Sequence, residues 1–425
     1  MKFSHLSDCH LGSWNAHPDL RELPLKAFEQ TISKNIAEKV DFILIAGDLF
    51  DTSMPSVDVI RFAAEQLRRC KENGIDVYVV AGSHDFSPTG KTMLSVLESA
   101  GLIVNVNQRL INNDDVQIFG IEGLRGGLDK NIFERYEFPK LDSNKFKIFM
   151  FHSAVKEFCP VLMESLPSDM LPDGFDYYAA GHLHEIIDEE YGGKRIVFPG
   201  PLFQTNFMEL EKLSHTGFYI VSVDVDSKSF QGKDSYDKNS KSLHDSHDKL
   251  VKSALQISHD KINIKWQKLN ICESLLITVD GNGKTASQIE REFLDMIDNE
   301  DVRGKIVLLK TSGKLKDGKP SDLSFKDISE RCKSKGSLSM KRSIHLTSED
   351  VEIKTEHKGL GVKEMELNLI EKVVAEKTKS KADSEINKEL ILKLIDALKE
   401  ERREDEKNLV YDERIKAGIM KILGL

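Results

Sequence analysis

The chain has 425 residues, 40% hydrophobic and 31% charged, with 60 Lys+Arg against 70 Asp+Glu for a net charge of −10. The length suits two or three domains with full-sized cores, and the longest apolar runs, such as Phe42–Gly47 and Val77–Ala81, are too short for a membrane span. Five cysteines (Cys9, Cys70, Cys159, Cys272, Cys332) without CxxC spacing argue against a disulfide scaffold or zinc knuckle.

The first ~200 residues alternate short apolar strands with helical stretches, an α/β pattern. Strands are expected at Lys2–Ser7, Asp41–Ala46, Asp76–Ala81, Lys147–Phe151 and Asp176–Ala180, with a last one at Phe218–Val225. Helices are expected at Leu23–Glu38, Ser56–Asn73 and Lys91–Ala100. Ser227–Lys249 is poor in apolar residues and reads as a linker or insertion. A small α+β unit follows, with strands at Ser274–Asp280 and Lys305–Lys310 and helices at Ser287–Ile297 and Phe325–Cys332. From Leu367 the pattern turns helical, with apolar stripes at Ile386, Leu390, Leu394 and Leu398 and at Ile415, Ile419 and Ile422. From periodicity, these stripes fit packing on their own chain and docking on a partner equally well. The N-terminus, Met1-Lys2-Phe3-Ser4-His5, lacks the apolar stretch of a secretory signal, so a cytoplasmic protein is expected.

The charge is unevenly spread. Residues 1–200 hold 20 basic against 30 acidic residues, while residues 201–425 hold 40 of each. Within the second part, Arg303–Arg342 holds 12 basic and 4 acidic residues. An acidic half suits divalent cations and a basic segment suits phosphate, although charge runs are more often solvated faces.

The chemistry collects where strands end. The expected strands run into Asp8-Cys9-His10, Gly47-Asp48-Leu49-Phe50-Asp51, Gly82-Ser83-His84-Asp85, His152 and Gly181-His182-Leu183-His184. Open α/β sheets place sites at the carboxyl ends of strands, so these residues can converge on one rim. Imidazole with carboxylate suits Mn²⁺, Fe²⁺ or Zn²⁺. Alternate residues of an extended segment face the same way, so Asp-x-His and His-x-His each aim two donors at one place. Two neighbouring ions suit phosphoryl transfer. A lone buried histidine is more often a satisfied core residue, but five of the 13 histidines fall at these strand ends. By contrast, Gly281-Asn282-Gly283-Lys284-Thr285 is not a phosphate-binding loop, because Thr278 stands where that motif needs its first glycine.

This order of motifs resembles the calcineurin-like metallophosphoesterases. Asp8-Cys9-His10-Leu11-Gly12, Gly47-Asp48-Leu49-Phe50-Asp51 and Gly181-His182-Leu183-His184 are similar to the double-strand-break repair nucleases of the Mre-eleven/SbcD family. The resemblance covers about residues 1–225. It implies an α/β fold: a two-sheet metallophosphoesterase sandwich flanked by helices, with a small α+β capping domain and a C-terminal helical segment. The expected divisions are 1–226 for the nuclease domain, 227–260 for a linker or insertion, 261–345 for the capping domain, and 346–425 for a linker and C-terminal helices.

The resemblance also implies two Mn²⁺ per subunit. One would take Asp8, His10, Asp48 and His184, and the other Asp48, Ser83, His152 and His182, with His84 as general acid. It implies 3′–5′ exonuclease and single-strand endonuclease activity, and a homodimer formed through Ser56–Asn73 and Lys91–Ala100. It further implies a Rad-fifty-like SMC/ABC ATPase partner bound by the helices bearing Ile386, Leu390, Leu394, Leu398, Ile415 and Ile419. DNA contacts are expected from Arg303, Lys305, Lys314, Lys316 and Lys319. Two departures stand out. Ser83 replaces the family's usual Asn, which predicts a weaker second ion site, and Asp51 stands where some members have His. The rival readings are a metallophosphoesterase acting on phosphoproteins or small nucleotides, and an architectural DNA-end tether with weak catalysis. The chain is expected to come from a prokaryote and to be associated with the nucleoid.

Overall fold

The computed structural model describes residues 1–86, 92–123, 132–133, 135–159, 165–224, 262–347, 390, 393–394 and 408–423. The chain forms two compact units, Met1–Glu349 and Asp350–Leu425.

The first unit is built on two six-stranded sheets, with strands numbered in chain order. One contains β1 (Lys2–Leu6), β2 (Phe42–Ala46), β3 (Asp76–Val80), β4 (Val104–Asn105), β11 (Thr216–Val223) and β12 (Ile262–Leu269), ordered β12-β11-β1-β2-β3-β4. The other contains β5 (Ile111–Asn112), β6 (Val116–Ile121), β7 (Phe146–His152), β8 (Tyr177–Gly181), β9 (Ile187–Tyr191) and β10 (Lys194–Phe198), ordered β5-β6-β7-β8-β10-β9. The central strands β2 and β7 are buried at every residue. That is why they read as near-continuous apolar runs instead of alternating ones.

Alternate residues divide between the layers. Phe3, Leu44, Tyr78 and Val80 from the first sheet meet Ile118, Phe146, Met150 and Tyr177 from the second. The outer face of the first sheet carries Ile43, Ile45, Val77 and Val79 against α1 (Glu22–Glu38), α2 (Val57–Glu72) and α3 (Met93–Ser99). Helix α2 buries Val59, Ala63, Leu67 and Cys70, one stripe at helical spacing. Full burial of a side chain such as Leu67 stabilises by roughly 1.5–3 kcal/mol. The second sheet's outer face is aromatic, with Phe119, Phe149, Phe151 and Tyr178. These layers are the expected α/β sandwich.

The sequence reading grouped Ile262–Leu269 with the small capping unit. The structure pairs it antiparallel with β11, from Thr216↔Leu269 to Val223↔Ile262, as the edge strand of the first sheet. It alternates exposed and half-buried residues, as an edge strand with one solvated face does. The small unit then begins with β13 (Ser274–Asp280) and continues through α5 (Ala286–Asn299), β14 (Ile306–Lys314), α6 (Lys326–Ser334) and β15 (Ser339–Thr347). Its three strands are parallel, ordered β13-β14-β15. One face packs on α5 and α6 through Ile277, Val307, Leu309, Phe293 and Ile328. Ile306 and Leu308 instead join the core of the large unit, near the short α4 (Phe207–Lys212). The Gly281–Thr285 stretch is a helix start, where Thr285 and Gln288 form a capping box for α5.

In the second unit, α7 spans Asn408–Leu423, with Ile415 and Ile419 half-buried, and Leu390 and Leu394 are helical. Ile386, Leu398 and the expected linker 227–260 lie outside the described residues. Among the described residues, no helix is long and apolar enough to cross a membrane.

Candidate metal centre

The strand ends converge, but between two sheets and not along one. β1, β2 and β3 bring Asp8, Asp48 and the Gly82–Asp85 turn, while β7 and β8 bring His152, His182 and His184. The approach is close enough to require glycine. A Cβ on Gly47 (φ +88°) would lie 2.1 Å from His152 Nδ1, and one on Gly181 would lie 1.9 Å from the Ala46 carbonyl oxygen. Asp8, His10, Asp48 and His182 all hold positive φ, at 49°, 43°, 50° and 91°. Non-glycine residues rarely adopt such angles, and the strain persists only where surrounding structure enforces it.

Three groups of donors lie within 4.8 Å of one another: Asp8, His10 and His184; His10, Asp48 and His84; and Asp8, Asp48 and His152. His182 stands beside His152, with ring centroids 5.1 Å apart, and its backbone N–H donates to the Asp8 carboxylate at 3.1 Å. Ser83 sits in the turn after β3. In that turn the Gly82 N–H donates to Asp85 Oδ2 and the His84 N–H to Asp48 Oδ1, at 3.1 and 2.8 Å.

Hydrogen bonds fix which ring nitrogens are free. His152 donates Nδ1–H to the Ala46 carbonyl at 2.8 Å, which turns Nε2 toward Asp48 Oδ2 at 3.2 Å. His184 donates Nδ1–H to Glu209 Oε1 at 3.0 Å, so its Nε2 faces His10 Nε2 at 3.2 Å and Asp8 Oδ1 at 3.5 Å. A buried site this rich in acceptors needs positive charge among them, either protons on the histidines or a metal ion in their place. This arrangement of buried carboxylates and converging imidazole nitrogens fits divalent ions.

The electrostatics agree. Burial opposes ionisation of Asp8, yet the hydrogen bond and charge of His184, with His152 and His10, hold its carboxyl well below the usual range. Asp48 is likewise opposed by burial but is held at about 2, chiefly by His152. Burial lowers the affinity of His152 for a proton, but Asp48 outweighs it and raises the pKa to about 9. A field that holds a proton so firmly also attracts a metal cation.

Three supporting residues were given no role by the sequence reading. Glu209, on α4, accepts from His184, from Thr205 N at 2.8 Å and from Asn206 Nδ2 at 2.6 Å. Asp85 accepts from Leu49, Phe50 and Gly82 N–H groups, bracing the two acidic turns, and burial with Asp48 nearby raises its pKa to about 6. Asp51 lies 3.2 Å from His10 Nδ1, and its carbonyl accepts from His84 Nδ1 at 2.7 Å. Asp85 and Asp51 stood inside the motifs already singled out, whereas nothing local marks Glu209.

The predicted DNA-contacting cations do not gather. Arg303 and Lys305 precede or begin β14, while Lys314, Lys316 and Lys319 end or follow it. A nine-residue strand separates the two sets by roughly 26 Å. Lys305 also pairs with Glu273 at 3.7 Å.

Residues 1–185 match the calcineurin-like phosphoesterase family. Over these residues the chain is similar to the calcineurin-like metallophosphoesterases. The chain is 32% identical to the DNA double-strand break repair protein Mre11 of Methanococcus maripaludis, over 54% of this chain and 66% of that one. It is 26% identical to the protein of the same name from Archaeoglobus fulgidus, over 99% of this chain and 86% of that one. It is also 26% identical to the uncharacterized metallophosphoesterase YhaO of Bacillus subtilis, over 56% of this chain and 61% of that one. The chain therefore spans just under two thirds of the Methanococcus protein and most of the Archaeoglobus one. The family match ends just past His184, so the Glu209 brace lies beyond it.

Proposed function

We propose that this phosphoesterase is a DNA nuclease that processes broken ends with two Mn²⁺ ions per subunit. The observation that carries the reading is the interlocking of the donor groups: Asp8, His10 and Asp48 each belong to two of the three. Ions held by such a set would be neighbours. One would be held by Asp8, His10, Asp48 and His184, the other by Asp48, Ser83, His152 and His182. Bound divalent ions would supply charge neutralisation for a phosphodiester and a more acidic water.

The chain's own groups do the rest. Asp8 and Asp48 stay ionised and keep the donor set in register. Glu209 orients the His184 ring, as carboxylates behind metal-binding histidines do. His84 is fixed through Nδ1 by the Asp51 carbonyl, which leaves Nε2 to carry a proton to the departing sugar oxygen. DNA as substrate is supported by the archaeal relatives named for double-strand break repair, one of them aligned along 99% of this chain. We extend the same reading to 3′–5′ exonuclease and single-strand endonuclease activity and to a homodimer through α2 and α3. It also includes an SMC-like ABC ATPase partner bound by the C-terminal helices.

The test is cleavage of labelled single- and double-stranded DNA in EDTA, Mg²⁺ or Mn²⁺, with Asp8→Ala as control. Mn²⁺-dependent cutting abolished by Asp8→Ala is expected. Cutting that persists in EDTA or in the variant would refute the assignment.

A further inference from the structure

A cavity of about 560 Å³ opens beside the donor groups. Its volume lies within the range of about 300–1,000 Å³ typical of small-ligand sites. Asp51 lines it and sets Oδ1 3.2 Å from His10 Nδ1, so the cavity adjoins the centre. Trp14 forms an aromatic wall, held in place by its indole N–H donating to the Gln204 carbonyl at 2.7 Å. Asn15, Thr52 and Ser56 add polar groups that can donate and accept. From the small unit come Lys341, with Nζ 5.2 Å from the Trp14 ring centroid, and Arg342, whose guanidinium lies over Phe325.

Strand register explains why Lys341 faces this way. On β15 it pairs with Leu308, whose side chain enters the core of the large unit, while Arg342 pairs with Leu309 on the opposite face and stacks on Phe325 at 4.5 Å. Unlike Lys305, Lys341 makes no ion pair among the described residues, and Asp19 acts on it only at a distance. An ammonium held on an aromatic face keeps its charge directed and remains available to a further anion.

We propose that this cavity is a nucleotide subsite. It seats the nucleotide flanking the scissile linkage of a single strand, with that nucleotide's phosphate on Lys341 and its sugar and base against Trp14 and Asn15. The inference rests on the phosphodiesterase reading and adds to it where the polymer, as distinct from any small diester, is gripped. It assigns the phosphate contact to Lys341 and not to the cations at the two ends of β14. The lysine touches no reacting atom and is a positioning residue.

The test compares the full-length wild type with Lys341→Gln, Lys341→Arg, Arg303→Gln and Lys316→Gln. Each is assayed with Mn²⁺ on bis(p-nitrophenyl) phosphate and on a labelled single-stranded oligothymidylate, and for binding of that oligonucleotide in EDTA. Loss of one charge-assisted hydrogen bond is expected to raise the oligonucleotide KM and Kd about tenfold in Lys341→Gln. The slope of log Kd against log salt should shrink by about 0.7, as for one phosphate contact on a single strand. Small-diester turnover should stay unchanged, Lys341→Arg should restore binding, and the β14-end variants should bind as wild type. An unchanged Kd and salt slope in Lys341→Gln overturns the subsite, even if the wild type hydrolyses both substrates. A wild type that hydrolyses neither substrate overturns the phosphodiesterase reading instead, and the EDTA binding arm still decides the subsite.

Discussion

Replacing Glu209 isolates a brace that touches no substrate. Its carboxylate accepts from four donors: His184 Nδ1 at 3.0 Å, Thr205 N at 2.8 Å, Thr205 Oγ1 at 3.0 Å and Asn206 Nδ2 at 2.6 Å. Glu209→Gln keeps one oxygen but turns the other acceptor into a donor that faces existing N–H groups. The hydrogen bond to His184 then loses its charge assistance, a difference of about 1 kcal/mol, so Mn²⁺ affinity at the His184 site should fall about fivefold. Glu209→Ala also frees the imidazole to rotate, and the loss should reach about 10–100-fold. Calorimetric titration of Mn²⁺ into each variant, with a thermal melt in EDTA to confirm folding, reads the effect directly. A folded Glu209→Ala protein that binds Mn²⁺ within twofold of wild type would refute the bracing role.

Ser83 offers a shorter and weaker donor than the amide oxygen of Asn, so wild type should show one tight and one weak Mn²⁺ site, and Ser83→Asn should tighten the weak one. Two equally tight sites in the wild-type isotherm would count against this. His84→Ala keeps the backbone N–H that donates to Asp48 and should bind metal normally, while turnover falls by about 10²–10⁴-fold. Lost metal binding would instead make His84 a ligand of the His10–Asp48 group, and near-wild-type turnover would sink both roles. Burial lowers the pKa of His5 from 6.5 to about 3, so on acidification the unfolded chain takes up a proton well before the folded one does. The stability contributed by neutral His5 is complete above 6.5 and drains away as pH falls toward 3. At about pH 4.5 the loss is about 3 kcal/mol. His5→Gln should remove that part of the slope in urea unfolding, and identical pH slopes for the two proteins would disprove it.

The strand ends were legible because each places its chemistry within two or three residues of a buried apolar run. Asp8, Asp48, His152 and His184 announce themselves beside strands that can only be core. What stayed hidden depends on partners distant in the chain. Glu209 is an ordinary surface glutamate until α4 brings it to His184. Lys305 and Lys310 count as basic residues until Glu273 and Glu211 pair with them. Lys341 was one of 12 cations in its segment, and only the register of β15 shows that it faces Trp14. The edge strand Ile262–Leu269 was hidden for a similar reason, since its polar alternation acquires meaning only beside β11. The two-sheet site could not be read from the motifs alone, because β6 intervenes in sequence and its pairing with β7 is what starts the second layer.

Because the donors come from both sheets, the full centre forms only when the two layers meet. The stretch that supplies Asp8, His10, Asp48 and His84 holds one donor group whole and part of the other two, and His152 and His184 must arrive on the opposite layer to complete those two. During synthesis the first half of the sandwich therefore emerges with an incomplete donor set. A chain stalled before His184 carries acidic turns but not the opposed histidines that complete two of the three donor groups. The site thus gains its full set of candidate ligands only as the fold closes.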